Sequence, residues 1–416
     1  MMFAEAKPEL IPKFNRQKSV FIFIFATSIY HDNLYTMKKK IIRPASLVKQ
    51  GNLKLYATSL KVSDLLIPNF YSIERLDPEN ANKKGYQRLL NEGRAKKLAH
   101  YIVEGLDTYD AYLPTSIFIA TDKNIAFNAA NNTIEIDIDE IAPFNVVDGQ
   151  HRVEGLKIAA EIDKRVLEFE IPVVIAIKLS WIEQMCHFLI VNTTQQGVDE
   201  GLAQRIKARL TMSLGIEEMP TLPRWIRISV EKGEDEKALQ FIDFLNTEKG
   251  SPWMNKITMP YDENKKGSIN QKSFVKAIKK YILVENNPFL ITKESEERQH
   301  RIFLNYWQAI TNIIGKDGST VLFKYNGVEL FCKFSVPFFI RLYDNGNYTV
   351  PTMQKLLKQV LDNAEGDAIG VESIEFWVKG GKASGLNSSA LSKINTEMVK
   401  ALTKTSEIKK RKEMVI

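Results

Sequence analysis

The chain has 416 residues, 44% of them hydrophobic and 26% charged, and 57 Lys and Arg against 50 Asp and Glu give a net charge of +7. This is the composition of a soluble globular protein, long enough to bury a core and divide into two domains, and its surplus positive charge is compatible with nucleic acid without establishing it. The two cysteines, Cys186 and Cys332, each sit among apolar neighbours, which excludes a disulfide framework and points to small core residues in a reducing compartment.

At the amino terminus, Lys13, Arg16 and Lys18 precede an apolar run over 20–26, superficially like a secretory signal. No following segment is long enough to span a membrane, and the cysteine pattern of a secreted protein is missing. A leader or extension over 1–44 is expected instead, with Met37 as an alternative start of translation. From Leu53 to Ala57, apolar and polar residues alternate as in an edge strand. A polar stretch over 77–85 leads through Tyr86-Gln87-Arg88 into a helix carrying Leu89, Leu90, Leu98, Tyr101 and Ile102. Pro114 opens a strand through Ile117, Phe118 and Ile119; a turn over 128–133 follows, and alternation over 134–139 predicts another strand.

The run Phe144-Asn145-Val146-Val147-Asp148-Gly149-Gln150-His151-Arg152 is the most informative in the chain. A short buried strand feeds a polar turn, and Val153, Leu156 and Ala160 then mark one face of a helix. Amides at a helix start favour anions, glycine admits a ligand close to the backbone, and the Arg152 guanidinium matches phosphate geometry. Next come a nearly all-apolar strand over 171–179, central in its sheet, a helix over 181–191 and the polar loop Asn192-Thr193-Thr194-Gln195-Gln196-Gly197. Beyond Leu210 the chain turns mostly helical, with apolar stripes through Phe274, Ala277, Ile278, Tyr281 and Ile282 and through Leu356, Leu357, Val360 and Leu361.

Asp148-Gly149-Gln150-His151-Arg152 matches the motif of the DGQHR domain family, which is DndB-like and resembles a divergent branch of the ParB/sulfiredoxin superfamily. Asn192-Thr193-Thr194-Gln195 stands where the second, asparagine-containing motif of that superfamily would fall, and Tyr86-Gln87-Arg88 resembles an upstream DGQHR element. Ser251-Pro252-Trp253 and Phe376-Trp377 are more weakly similar to later parts of such proteins. The resemblance implies an α/β fold: a ParB/sulfiredoxin-like mixed domain over 45–212, then a mostly helical domain over 213–416. It also implies service to a DNA-modification or anti-phage defence system of the phosphorothioation type.

Each constellation has a plain reading beside the chemical one. The signature turn is either a helix capped by Asp148, with Arg152 in an ion pair, or a phosphate cradle. In the cradle, Gly149 and the following amides hold phosphates, Arg152 neutralises them, Gln150 orients a water, His151 exchanges a proton, and Asp148 holds Mg²⁺ or positions a base. Asn192, Thr194 and Gln195 either cap a helix or read a base or ribose, while Gln87 and Arg88 join a site only through the resemblance. Glu135, Asp137 and Asp139, two apart, read as the solvated face of a half-buried strand. Arg205, Lys207, Arg209 and the lysines at 272, 276, 279 and 280 read first as solvent-facing charge, with DNA phosphate contact as the alternative.

The expectation is therefore a cytoplasmic protein, taken as a homo-oligomer, that binds and hydrolyses a nucleoside triphosphate, ATP favoured, with Mg²⁺. DNA and modification proteins encoded nearby are its expected partners. The alternative is a non-catalytic DNA-binding regulator of a phosphorothioation-type system; a ParB-like nuclease ranks last.

Overall fold

The structure, a computed structural model, describes residues 40–77, 85–194, 199–213, 223–261, 267–317, 319–343 and 346–405. The leader lies largely outside the described residues, as do Gln195 and the Lys409-Lys410-Arg411-Lys412 tail. The chain divides into two compact units, one of Met1–Ile73 with Leu90–Gln184, the other of Glu74–Leu89 with Met185–Ile416.

The first unit is built on an eight-stranded sheet of β1 (Lys40–Gln50), β2 (Leu53–Lys61), β3 (Tyr71–Ser72), β4 (Ile117–Ala120), β5 (Ala126–Asn128), β6 (Thr133–Asp137), β7 (Phe144–Asp148) and β8 (Glu170–Ala176). Its order is β3-β7-β4-β8-β2-β1-β6-β5. β4 and β8 run parallel, as do β3 and β7, and the remaining pairs are antiparallel. β1 begins at Lys40, inside the stretch set apart as leader. The alternation over Leu53–Ala57 does not mark an edge strand: β2 is hydrogen-bonded to β1 on one side and β8 on the other. β8 is central, as its apolar run predicts. β6 ends at Asp137, and 138–141 turn into a short helix, so Asp139 leaves the row of carboxylates.

Helices α1 (Glu92–Thr108) and α2 (Gln150–Ile162) pack against each other. α1 starts after Leu89 and Leu90, where the Asn91 side chain accepts the Arg94 amide at 3.0 Å and caps the first turn. Ile117, Ile119, Phe144, Val146, Val153, Leu156, Ala159 and Ile175 are buried between sheet and helices. Each fully buried aliphatic side chain of this set contributes roughly 1.5–3 kcal/mol.

α3 (Trp181–Thr194) contains the boundary between the units. The second unit continues with α4 (Glu200–Ser213), α5 (Arg224–Lys232), α6 (Glu234–Thr247), α7 (Gln271–Tyr281), α8 (Glu296–Ile314), α9 (Tyr325–Tyr343), α10 (Val350–Asp362) and α11 (Ser388–Thr403). Its core is aromatic: Trp253 meets Phe274, Trp307 and Phe323, each at a centroid distance of 4.9 Å, and Trp377 lies 5.7 Å from Phe331. Cys186 and Cys332 are both buried and in no disulfide. Several cations weighed as DNA contacts are committed internally. Asp235 pairs with Lys207 at 3.0 Å and Lys279 at 2.8 Å, and Arg205 grips both Asp243 carboxylate oxygens at 2.5 and 2.6 Å. Arg209 donates to the carbonyls of Gly85 at 2.8 Å and Asp77 at 2.6 Å, tying the 74–89 segment into this unit.

Candidate functional site

The elbow between β7 and α2 forms because Gly149 adopts φ +105°, a backbone conformation side-chain-bearing residues rarely enter. The Gly149 carbonyl accepts the Arg152 amide at 2.8 Å and the Val153 amide at 3.0 Å, which starts the helix. Gly149 itself is the N-cap and no side chain caps the turn, so Asp148 does not play that part. Asp148 instead accepts Arg152 Nη2 at 2.8 Å through Oδ2. The same Nη2 donates to the Ser116 carbonyl at 3.1 Å, and Nη1 to Thr115 Oγ1 at 3.3 Å. The guanidinium is thus held across the elbow, against the start of β4.

Two donors at this elbow stay unsatisfied. Gln150 is 5% exposed, and its Nε2 is buried without a hydrogen-bond partner among the described residues; Arg152 Nε is in the same position. A buried donor left unmade costs roughly 1–3 kcal/mol, so each is a position a ligand oxygen would stabilise. His151 is half-buried, and its Nε2 accepts the Asn91 N–H at 3.1 Å. An imidazole nitrogen that accepts carries no proton, so in this arrangement the ring proton sits on Nδ1. Asn91, the N-cap of α1, thus places His151 at the positive end of that helix. Nearby in the same unit, Asn145 Nδ2 donates to Gln184 Oε1 at 2.8 Å, and Gln184 Nε2 donates to the Leu179 carbonyl at 2.8 Å.

Asp148, Gly149, Gln150, His151 and Arg152 are therefore brought together in the first unit. Gln87, Arg88, Asn192 and Thr194 belong to the second. Gln87 is 3% exposed, and its backbone pairs with Arg75; beside it, Tyr86 packs 5.3 Å from Phe188, and burial pushes its phenol pKa up. Asn192 turns its Nδ2 back to the Phe188 carbonyl at 2.8 Å, in the last turn of α3. Asn91, Thr115 and Ser116 escaped the sequence reading. Asn91 had a signal, an N-cap residue just before a helix; Thr115 and Ser116 had none.

Phosphate oxygens fit the donor set of the elbow. A divalent metal fits it poorly: Asp148 is a lone carboxylate with one oxygen committed to Arg152, whereas Mg²⁺ demands six oxygens. Among the described residues no group of three or more His, Cys, Asp or Glu stands placed to hold a metal. Glu135 and Asp137 face Lys40 at 2.7 and 3.8 Å.

Residues 43–216 match the family model DndB, described as DNA-sulfur modification-associated, a span that includes every site residue named above. No curated protein and no solved structure matches the chain. Among the described residues, no helix is long and apolar enough to cross a membrane.

Proposed function

We propose that the protein serves a DNA-sulfur modification system, and that its elbow over 148–152 binds the phosphates of a nucleotide, ATP favoured. One observation carries the second half: the buried Gln150 Nε2 stands without a partner at the first turn of a thirteen-residue helix that follows a positive-φ glycine. An anionic oxygen there would satisfy Gln150 Nε2 and Arg152 Nε and meet the positive end of α2. Arg152 would then share its charge between the phosphate and Asp148.

The geometry supports binding over turnover. Acting as a base through Nε2 would require His151 to give up the Asn91 amide. Modification proteins encoded nearby, a second copy of the chain, the cytoplasm and a role in phage defence complete the reading. The test is a binding panel of ATP, GTP, CTP, UTP and inorganic triphosphate, with phosphate release followed with and without DNA. Gln150→Ala and Arg152→Ala should each weaken the preferred nucleotide about tenfold, the equivalent of ~1.4 kcal/mol. Unaltered affinity in both variants removes the elbow from nucleotide binding.

A second reading, a non-catalytic DNA-binding regulator of a phosphorothioation-type system, is favoured by the Asp148–Arg152 pair and its anchors at Thr115 and Ser116. There the elbow only fastens α2 to the sheet. Salt-sensitive duplex binding without nucleotide binding, and an Arg152→Ala variant that melts earlier yet binds DNA as before, would favour it.

A further inference from the structure

The short helix α5 carries charge where stability alone would not put it. Arg224 and Arg227 stand in its first turn, which contains no acidic residue and no capping side chain. The N-terminal end of a helix is already positive, so cations there are unfavourable and anions are attracted. Lys207 and Lys232 are matched by Asp235 and Glu234, at 3.0 and 3.9 Å, whereas Arg224 and Arg227 are exposed and form no ion pair among the described residues.

The same face exposes large apolar groups. Trp225 is 52% and Ile228 41% exposed, one turn apart, while Ile226 and Val230 bury the opposite side. By contrast Trp253, Trp307 and Trp377 are fully buried and Trp181 is partly buried, so Trp225 is the most exposed indole of the five.

We infer that the exposed face of α5 binds single-stranded DNA, with Arg224 and Arg227 on the phosphates and Trp225 stacked on a base. Guanidinium forks beside helix amides are suited to phosphate oxygens, and an indole face stacks on any unpaired base. Charge complementarity favours this partner: on α5 Arg224, Arg227 and Lys232 outnumber the exposed carboxylate Glu231, and the chain carries +7. An apolar surface flanked by unmatched cations would also suit an acidic protein, which the test below separates. The inference gives the DNA-binding reading a location and does not need the elbow.

The experiment measures binding of labelled oligo-dT, a matching duplex and heparin to the full chain, together with tryptophan emission. Trp225→Ala and the double variant Arg224→Ala, Arg227→Ala should each weaken oligo-dT binding about tenfold. Trp225→Phe should restore most of the affinity, and the arginine variant should flatten the salt dependence by about 1.4 in log–log slope, the loss of two single-strand phosphate contacts. Oligo-dT, unlike heparin, should quench emission in the wild type and not in Trp225→Phe. Wild-type oligo-dT affinity in Trp225→Ala overturns the stacking role. Altered self-association with intact DNA binding also overturns the proposal, by making the face a protein interface. Duplex binding that survives both α5 variants would leave DNA binding standing and sink only its placement here.

Discussion

Gly149 is where the local backbone and the chemistry of the elbow depend on the same atom. With φ at +105°, an alanine there is strained whatever space surrounds it, and its Cβ would lie 3.1 Å from Arg152 Nη2, 3.2 Å from Nε and 3.3 Å from Ile117 Cγ1. The guanidinium could yield by a few tenths of an ångström; the backbone could not. Gly149→Ala should therefore cost about 2 kcal/mol of stability in urea denaturation, within the range for a residue held in the left-handed region. It should also loosen the Asp148–Arg152 pair. A loss under 0.5 kcal/mol would mean that the elbow relaxes freely, and that it is not the rigid cradle proposed here.

At the level of elements, α1 and α2 come close because Gly155 faces α1. A Cβ there would meet Leu98 Cδ2 at 2.8 Å and the Ala95 carbonyl oxygen at 3.0 Å. Helix propensity argues for Gly155→Ala, by about 1 kcal/mol. Overpacking against a backbone oxygen argues against it, by about 1–3 kcal/mol, and should win. A net destabilisation in denaturant titration checks the balance; a stabilised variant would show that the helices can separate at little cost. Much of this layer was legible in the sequence. The buried stripe Val153, Leu156 and Ala160, the central strand β8 and the elbow between strand and helix all follow from periodicity and length. The place of β2 did not, because alternation reports the two faces of a strand and is silent on its neighbours in the sheet. Nor did the anchors of Arg152: Asp148 is four residues away and could be guessed, but Thr115 and Ser116 reach it only through strand pairing. The described parts of 74–89 join the second unit through Arg209 and through Tyr86 against Phe188, more than a hundred residues on in sequence, and carry no local mark.

For the molecule as a whole, acid should act first through the second unit. His300 on α8 lies between Phe241, at a centroid distance of 4.6 Å, and Phe244, at 5.6 Å, and burial pushes its imidazole pKa down from 6.5 to about 4. As pH falls below about 6.5, the unfolded chain takes up a proton that the folded chain refuses. Stability is therefore lost between about 6.5 and about 4 and does not return. Asp235 behaves differently: burial opposes its ionisation, but Lys279 and Lys207 outweigh that and hold its pKa below the usual carboxylate value. Its contribution is intact above the unfolded carboxylate pKa of about 3.9 and disappears only as pH falls further, through the lower folded value. The two windows are thus ordered, His300 first. With a discount for partial solvent screening, urea denaturation at pH 5 should find the wild type about 1 kcal/mol less stable than at pH 7. His300→Gln, which titrates at neither pH, should remove most of that difference. An equal loss in variant and wild type would place the acid sensitivity elsewhere, and the aromatic enclosure of His300 would then be packing without a role in proton linkage.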